Sequence, residues 1–310
     1  MRKNLVLIIA GPTASGKSAL ALDAALAFDG EIINCDALQI YKDIPVIAAT
    51  PTAADKATVP HHLYEIYDCG KRGNVVEWLE LCVAEIRRCW QQNKLPIVVG
   101  GTGMYIDALI NGVTPIPEVP NNIRAQVHAE LTQKDLLALY DWLEKNDPEI
   151  AAKLHANDKT RITRAVEILR FTGKKVSDWY KMPLIQKLPE AKFKVAKIVP
   201  SLDDIENRCK KRLDVMVYEQ TALAEVKNLL ARNLSADLPA LKALGVPELT
   251  QFIRGELLLN NAVDLAKLHT RQYAKRQRTW LKNKLPADLE FSEAYTGQPE
   301  YVEKLKNLLI

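Results

Sequence analysis

Short unbroken apolar runs alternate with stretches of helical periodicity through the first third of the chain. Leu5-Val6-Leu7-Ile8-Ile9-Ala10 has the length of a buried strand, and Ala19 to Phe28 after it is rich in Ala and Leu at helical spacing. Glu31 to Asp36 and Leu95 to Val99 read as two further strands, and Val75 to Gln92 between them reads as an amphipathic helix. Strands that are apolar throughout, joined through helices, predict an α/β fold with a parallel sheet covered on both faces. Ligands of such sheets bind at the carboxyl ends of the strands. Three polar segments fall there: Gly11–Ser18, Asp36 with the residues after it, and Gly100-Gly101-Thr102-Gly103.

The middle of the chain changes character. Thr114-Pro115-Ile116-Pro117-Glu118-Val119-Pro120 cannot continue a helix and marks a junction. Beyond it, Asn122–Thr132, Lys134–Lys145 and Asp158–Thr172 read as helices, the last with Gly173 as its stop. The pattern predicts a helical insertion domain over 118–160, set between two parts of the core, 1–117 and 161–310. Lys192 to Val199 returns to strand-like alternation, and the remainder is mostly helical, with no internal repeat or low-complexity run.

Composition narrows the class. The 310 residues are 48% hydrophobic and 26% charged, which suits a globular protein and excludes a disulfide-stapled miniprotein or a disordered tail. A formal charge of +4 is too small to argue nucleic-acid binding by itself. Five cysteines without a C-x-x-C pair suit reduced thiols and a cytoplasmic location better than a disulfide framework or a zinc site. The first apolar run stops at Gly11-Pro12, too early for a signal peptide, and no stretch approaches the ~20 apolar residues of a membrane helix.

Gly11-Pro12-Thr13-Ala14-Ser15-Gly16-Lys17-Ser18 fits the phosphate-loop pattern G-x-x-x-x-G-K-[ST], between a strand and a helix as that pattern requires. Its glycines let successive backbone N–H groups face an anion at a helix N-terminus, Lys17 adds a charge, and the Ser18 hydroxyl can ligate Mg²⁺. A nucleoside-triphosphatase of this class has a further strand ending in a magnesium-directed Asp. Here Asp36 ends one strand, whereas the other candidate ends in Gly100-Gly101-Thr102 without a carboxylate. The pattern favours a loop that binds a diphosphate as a leaving group over one that energises a kinase.

With these residues the chain resembles the tRNA dimethylallyltransferases of bacterial type, which are similar to P-loop kinases. The likeness rests on the phosphate loop, Asp36-Ala37-Leu38-Gln39-Ile40-Tyr41, Val59-Pro60-His61-His62-Leu63 and Gly100-Gly101-Thr102-Gly103-Met104-Tyr105. It continues through His155-Ala156-Asn157-Asp158, Arg161 to Glu167, Gly173-Lys174-Lys175 and Arg271 to Gln277, and so spans almost the whole chain. The resemblance implies transfer of a dimethylallyl group from dimethylallyl diphosphate to the N6 amine of the adenine 3′ of the anticodon, in tRNAs reading codons that begin with U. It makes Asp36 the base that accepts the amine proton and Thr102 the hydroxyl that orients this chemistry. The loop residues Gly11 to Ser18 and Arg212 would hold the diphosphate with Mg²⁺ on Ser18.

For the tRNA, the resemblance points to Asp36, Ala37, Leu38, Gln39 and Thr102, to Thr160, Arg161, Ile162, Thr163 and Arg164, and to Arg124, meeting the anticodon stem-loop. Basic side chains track phosphates and aromatic ones stack on unpaired bases, which suits Arg271, Lys275, Arg276, Arg278 and Lys282 interleaved with Tyr273 and Trp280. Lys159, Arg161, Arg164 and Arg170, with Lys174 and Lys175, form a second basic group. Chemistry on a base in a stacked loop requires that the base be flipped out. A cytoplasmic monomer is expected, with no membrane partner. The chain departs from the family pattern at Ala37, usually Ser, at Ile47-Ala48-Ala49-Thr50, usually Gly-Thr-Ala-Lys, and at Val246, where Tyr is common. An adenylate isopentenyltransferase, a P-loop small-molecule kinase and an RNA-binding protein with a decayed site are the rival readings.

Overall fold

The structure is a computed structural model and describes residues 4–310. The chain forms two compact units: one runs to Ile110 and resumes at Lys187, and the other is Asn111–Gln186. The first unit begins with β1 (Leu5–Ala10), α1 (Lys17–Phe28), β2 (Gly30–Asn34), α2 (Ala53–Thr58), β3 (His61–His62), α3 (Val75–Gln91), β4 (Leu95–Gly100) and α4 (Gly103–Asn111). The second is built of α5 (Asn121–Lys134), α6 (Leu136–Asn146), α7 (Pro148–Ala151), α8 (Lys159–Thr172) and α9 (Val176–Trp179). The first unit then resumes with β5 (Lys192–Ile198), α10 (Leu202–Asp214), α11 (Ala222–Ala231), α12 (Val246–Ile253), α13 (Leu259–Lys284), β6 (Leu289–Phe291) and α14 (Pro299–Leu308).

The six strands form one parallel sheet in the order β3-β2-β4-β1-β5-β6. Every residue of β1 and β4 is buried, as a parallel sheet covered on both faces demands. On one face Leu20, Ala21, Ala24, Ala25 and Phe28 of α1 pack with Leu7, Ile9, Ile32 and Val99. Each fully buried Leu or Ile there contributes roughly 1.5–3 kcal/mol.

Strand register sets up the site. Ala10 pairs with Gly100 and Asn34 with Val99, so β1, β2 and β4 end nearly level and release their loops side by side. Gly11 N donates to Gly100 O at 3.3 Å and Cys35 N donates to Val99 O at 2.7 Å. A Cβ at Gly100 would lie 1.9 Å from Cys35 O, so only glycine allows these two strand ends to close on each other.

The helical unit has its own core. Ile162, Val166 and Ile168 of α8 are buried together with Val127 of α5 and with Leu139 and Leu143 of α6. This packing carries the unit beyond the 118–160 expected from sequence, because the apolar face of α8 is part of the same core. Val113 and Ile185 close its ends with paired backbone hydrogen bonds of 3.1 and 2.8 Å. Gly173, at φ 65°, ends α8 in the left-handed conformation that glycine takes without strain. Lys134 belongs to α5 rather than α6, since Asp135 breaks the helix and caps Ala138 N at 3.0 Å.

Candidate active site

The phosphate loop is held from behind by distant parts of the first unit. Tyr295 N donates to Ser15 O at 3.0 Å, and Arg208 Nε donates to Ala14 O at 2.8 Å. Gln277 Oε1 accepts from Thr13 N at 2.9 Å, and Arg212 donates to the Thr13 hydroxyl. Gly16 lies at φ 85°, and a Cβ there would meet Tyr295 O at 2.2 Å, so glycine is required both by conformation and by contact.

In front of the loop lies a cavity of about 590 Å³. Ala14, Ser15, Gly16, Lys17 and Ser18 line one end with Arg208, Lys211 and Arg212, while Ile32, Tyr64, Val99, Leu22 and Pro51 make apolar walls beyond them. Gly11, Pro12 and Thr13 stand outside this lining. The N–H groups of Gly11 and Thr13 are taken by Gly100 O and Gln277 and so are not free to face an anion. Ser15 is fully buried and its Oγ has no hydrogen-bond partner. Ser18, by contrast, is exposed in the first turn of α1.

Charge is concentrated at the same end. Lys17 is buried, with Nζ donating to Pro12 O at 3.3 Å. Burial pulls its pKa below the ordinary lysine value, Asp36 opposes that, and Arg212 adds to it. Burial lowers Arg212 as well, with Cys209 and Asp36 working against the shift. A buried lysine and a part-buried arginine thus share one nearby carboxylate, an arrangement that an incoming anion stabilises.

Asp36 lies in a smaller pocket of about 60 Å³, with Thr13, Leu38, Arg212, Thr270 and Tyr273 in its walls. Arg212 and the phosphate loop therefore border both spaces. The turn bearing Asp36 is templated by Asn34, which is fully buried: its Oδ1 accepts from Asp36 N at 2.8 Å and its Nδ2 donates to Asp36 O at 3.1 Å. Asp36 Oδ1 accepts from Leu38 N at 3.0 Å, which fixes the carboxylate with its second oxygen available. Thr102 Oγ1 accepts from Ala37 N at 3.0 Å, tying the loop after β4 to the loop after β2. Position 37 thus contributes its backbone here, which any side chain supplies.

The other departures from the family pattern are also structured. Glu225 accepts from Val46 N and Ile47 N at 2.9 and 3.0 Å. Gln39 is buried and donates to Ala48 O and Ala49 O at 3.2 and 2.6 Å. Its side chain is therefore committed to holding the segment that walls both pockets. His61 and His62 are held by hydrogen bonds: His61 Nδ1 is 2.9 Å from Val59 O, and His62 Nε2 is 2.6 Å from Glu31.

In the helical unit, Thr160 and Arg161 are exposed at the start of α8. Arg164 pairs with Glu167 at 3.3 Å, while Ile162 is fully buried and holds the helix to its core instead of facing outward. Thr163 Oγ1 and Arg124 Nε are buried without hydrogen-bond partners. Arg170 is engaged internally, 2.6 Å from Glu130 and stacked over Trp142 at 4.8 Å. On α13, Lys275, Arg276 and Lys282 are exposed, Arg271 pairs with Glu206 at 2.5 Å, and Arg278 Nε donates to Pro200 O at 2.8 Å. Trp280 packs on Gly103, where a Cβ would lie 2.4 Å from its ring.

Sequence reasoning singles out neither Arg208, Lys211 nor Asn34, and it names Gln277 only as the end of the motif from Arg271 to Gln277, without a role. Arg208 and Arg212 are four residues apart on α10, a spacing that puts both on one face and could have flagged the pair. Asn34 has no such signal, because its role arises from turn geometry.

The model of the family described as IPP transferase matches residues 39–284. The chain belongs to this family. The tRNA dimethylallyltransferase of Zymomonas mobilis is 42% identical over 91% of this chain and 89% of its own length. That of Rickettsia conorii is 35% identical over 99% of this chain and 84% of its own. Among solved structures, the tRNA isopentenylpyrophosphate transferase of Bacillus halodurans matches with TM-score 0.72 and 29% identity, over 99% of this chain and 96% of that one. A eukaryotic dimethylallyltransferase, described as acting on tRNA, matches with TM-score 0.82 and 29% identity over 98% of this chain and 78% of its own. The family membership makes the chain a transferase with an α/β P-loop core. Among the described residues no helix is long and apolar enough to cross a membrane.

Proposed function

We propose that the protein transfers the dimethylallyl group of dimethylallyl diphosphate to the N6 amine of the adenine 3′ of the anticodon in tRNA. The observation that carries this reading is that Arg212 borders both pockets, with Lys17 in the larger one and the Asp36 carboxylate in the smaller one near enough to act on each other's charge. The cationic end of the larger cavity suits a diphosphate, and its apolar walls suit a short prenyl tail.

The amine nitrogen attacks C1 of the dimethylallyl group as the C1–O bond breaks and the electron pair leaves with diphosphate. Asp36, fixed by Asn34 and Leu38, takes the proton that the amine loses. Lys17, Arg212 and the loop amides offset charge on the departing oxygens. Mg²⁺ fits as a companion of the diphosphate. The exposed Ser18 hydroxyl stands at the loop, where it would be the protein oxygen for an ion otherwise held by phosphates and water. When bound, it would neutralise part of the leaving-group charge.

The tRNA reading rests on the names of the relatives and on the exposed Lys275, Arg276 and Lys282 of α13 and Thr160 and Arg161 of α8. The protein acts in this reading as a cytoplasmic monomer. The test is label transfer from radiolabelled dimethylallyl diphosphate to unmodified tRNA in Mg²⁺, with AMP and ATP as competing acceptors. Label on tRNA alone is expected; label on AMP would select a free-nucleotide enzyme. Asp36→Asn should keep tRNA binding and lower turnover by about 10²–10⁴-fold, and wild-type turnover in that variant would remove Asp36 from the base role.

A further inference from the structure

The two half-sites come from loops that are far apart in sequence, and one turn of α13 holds the phosphate loop and the loop after β4 together. Gln277 is 7% exposed. Its Oε1 accepts from Thr13 N at 2.9 Å, in the phosphate loop, and its Nε2 donates to Gly101 O at 3.0 Å, in the loop after β4. The seat is close-fitting: a Cβ at Gly101 would lie 2.4 Å from Gln277 Nε2 and 2.7 Å from Gly11 O. Four residues earlier on the same face, Tyr273 lies in the wall of the pocket that holds Asp36. Thr102 receives Ala37 N, beside Asp36. The end of α13 is itself anchored to the sheet, since buried Lys197 of β5 donates to Leu281 O and Leu285 O at 3.3 and 3.2 Å.

We infer that Gln277 is a positioning residue for prenyl transfer, setting the separation between the diphosphate loop and the loops that hold Thr102 and Asp36. The inference rests on the function proposed above. Gln277 touches no reacting atom. It joins the wall that holds the leaving group to the wall that receives the acceptor amine, and attack in line with the breaking C1–O bond depends on that separation. Misplacement by about an ångström costs on the order of 10²-fold in rate. The terminal amide offers a donor and an acceptor a fixed distance apart, which is what two backbone groups of opposite polarity, Thr13 N–H and Gly101 C=O, require.

The test compares wild type with Gln277→Met and Gln277→Glu in the full chain, with Mg²⁺, dimethylallyl diphosphate and unmodified tRNA. Gln277→Met keeps the length and loses both hydrogen bonds. Its kcat should fall roughly 10- to 100-fold, with KM for each substrate changed less than threefold and the folded fraction unchanged by circular dichroism. Gln277→Glu places a carboxylate against Gly101 O when ionised but matches the amide's donor and acceptor when protonated. Its kcat relative to wild type should therefore recover as pH falls from 8 to 5.5, and Gln277→Met should show no such recovery. Wild-type kcat in Gln277→Met, a loss expressed only in KM, or a Gln277→Glu ratio flat with pH would each overturn the inference. If Gln277→Met is poorly folded, the pH recovery of Gln277→Glu decides; if Gln277→Glu is poorly folded, the kcat and KM of Gln277→Met decide. A wild-type protein that transfers no label defeats the functional reading itself, and this inference with it.

Discussion

Replacing Arg88 by Met would expose how the edge of the sheet is held. Glu31, on β2, has a side chain only 7% exposed, and its Oε2 is 2.5 Å from Arg88 and 2.6 Å from His62 on β3. Burial, the largest influence on Glu31, pushes its pKa up, but the hydrogen bonds from Arg88 and His62 outweigh it and hold the carboxyl below its ordinary value. Removing one partner of a buried pair costs about 3–5 kcal/mol. Arg88 is itself 33% exposed and His62 remains, so about 2–3 kcal/mol is expected for Arg88→Met. At roughly 2 °C per kcal/mol in a chain of this size, Tm should fall by about 4–6 °C at pH 7.

The pH dependence is the sharper part. In the wild type the depressed carboxyl adds stability above its unfolded pKa of about 4.3 and loses it as pH falls through the lower folded value. Without Arg88, one of the two hydrogen bonds that offset burial is gone and the folded pKa rises towards the unfolded one, so less of this stability is present at neutral pH while little is lost at low pH. The Tm gap between the two proteins should therefore be widest near pH 7 and narrow towards pH 4, by differential scanning calorimetry. A gap that stays constant with pH, or is absent, would refute this account of Glu31. Because His61 on β3 lines the larger cavity, the same variant should raise KM for dimethylallyl diphosphate more than KM for tRNA.

Ser15→Ala deletes a buried hydroxyl that has no partner, so thermal stability of the unliganded protein should hold or rise, whereas affinity for inorganic diphosphate should drop about fivefold by calorimetric titration. A fall in Tm would show that the hydroxyl already supports the loop. All five cysteines are free and buried, and burial pushes the Cys69 and Cys89 thiols up to about 12. The native protein should accordingly resist a disulfide-exchange reagent at pH 8 and react fully in guanidinium, and prompt labelling when native would contradict their burial.

The parts of the fold legible in the sequence are those set by local chemistry. β1, the phosphate loop and α1 follow from an apolar run, two glycines and a lysine, and α8 ends at Gly173 because glycine takes a left-handed turn freely. β3 is two residues long and β6 three, too short for any periodicity to register, and both exist only because β2 and β5 offer them an edge. The π turn at Val215–Glu219, which continues α10 beyond Arg212, also carries no pattern of its own. In the site, Lys17, Asp36 and Thr102 stand out by type and motif. Asn34 does not, since its role comes from local turn geometry, and Gln277 appears only as the end of a motif, since it acts by meeting backbone groups that the tertiary fold alone brings near.

The place of β1 in the sheet bears on how the chain is made. It lies between β4 and β5, and its loop is fastened by Arg208, Gln277 and Tyr295. A ribosome delivers β1 first and β5 only after the whole helical unit, with Tyr295 later still. The helical unit, whose apolar core is drawn from its own continuous segment, can settle while translation proceeds. The catalytic core cannot: its central strand waits with one edge bare, and the phosphate loop acquires its final fastening only when nearly all of the polypeptide has emerged. A nascent chain stalled before β5 should thus carry a folded insertion on an unfinished enzyme.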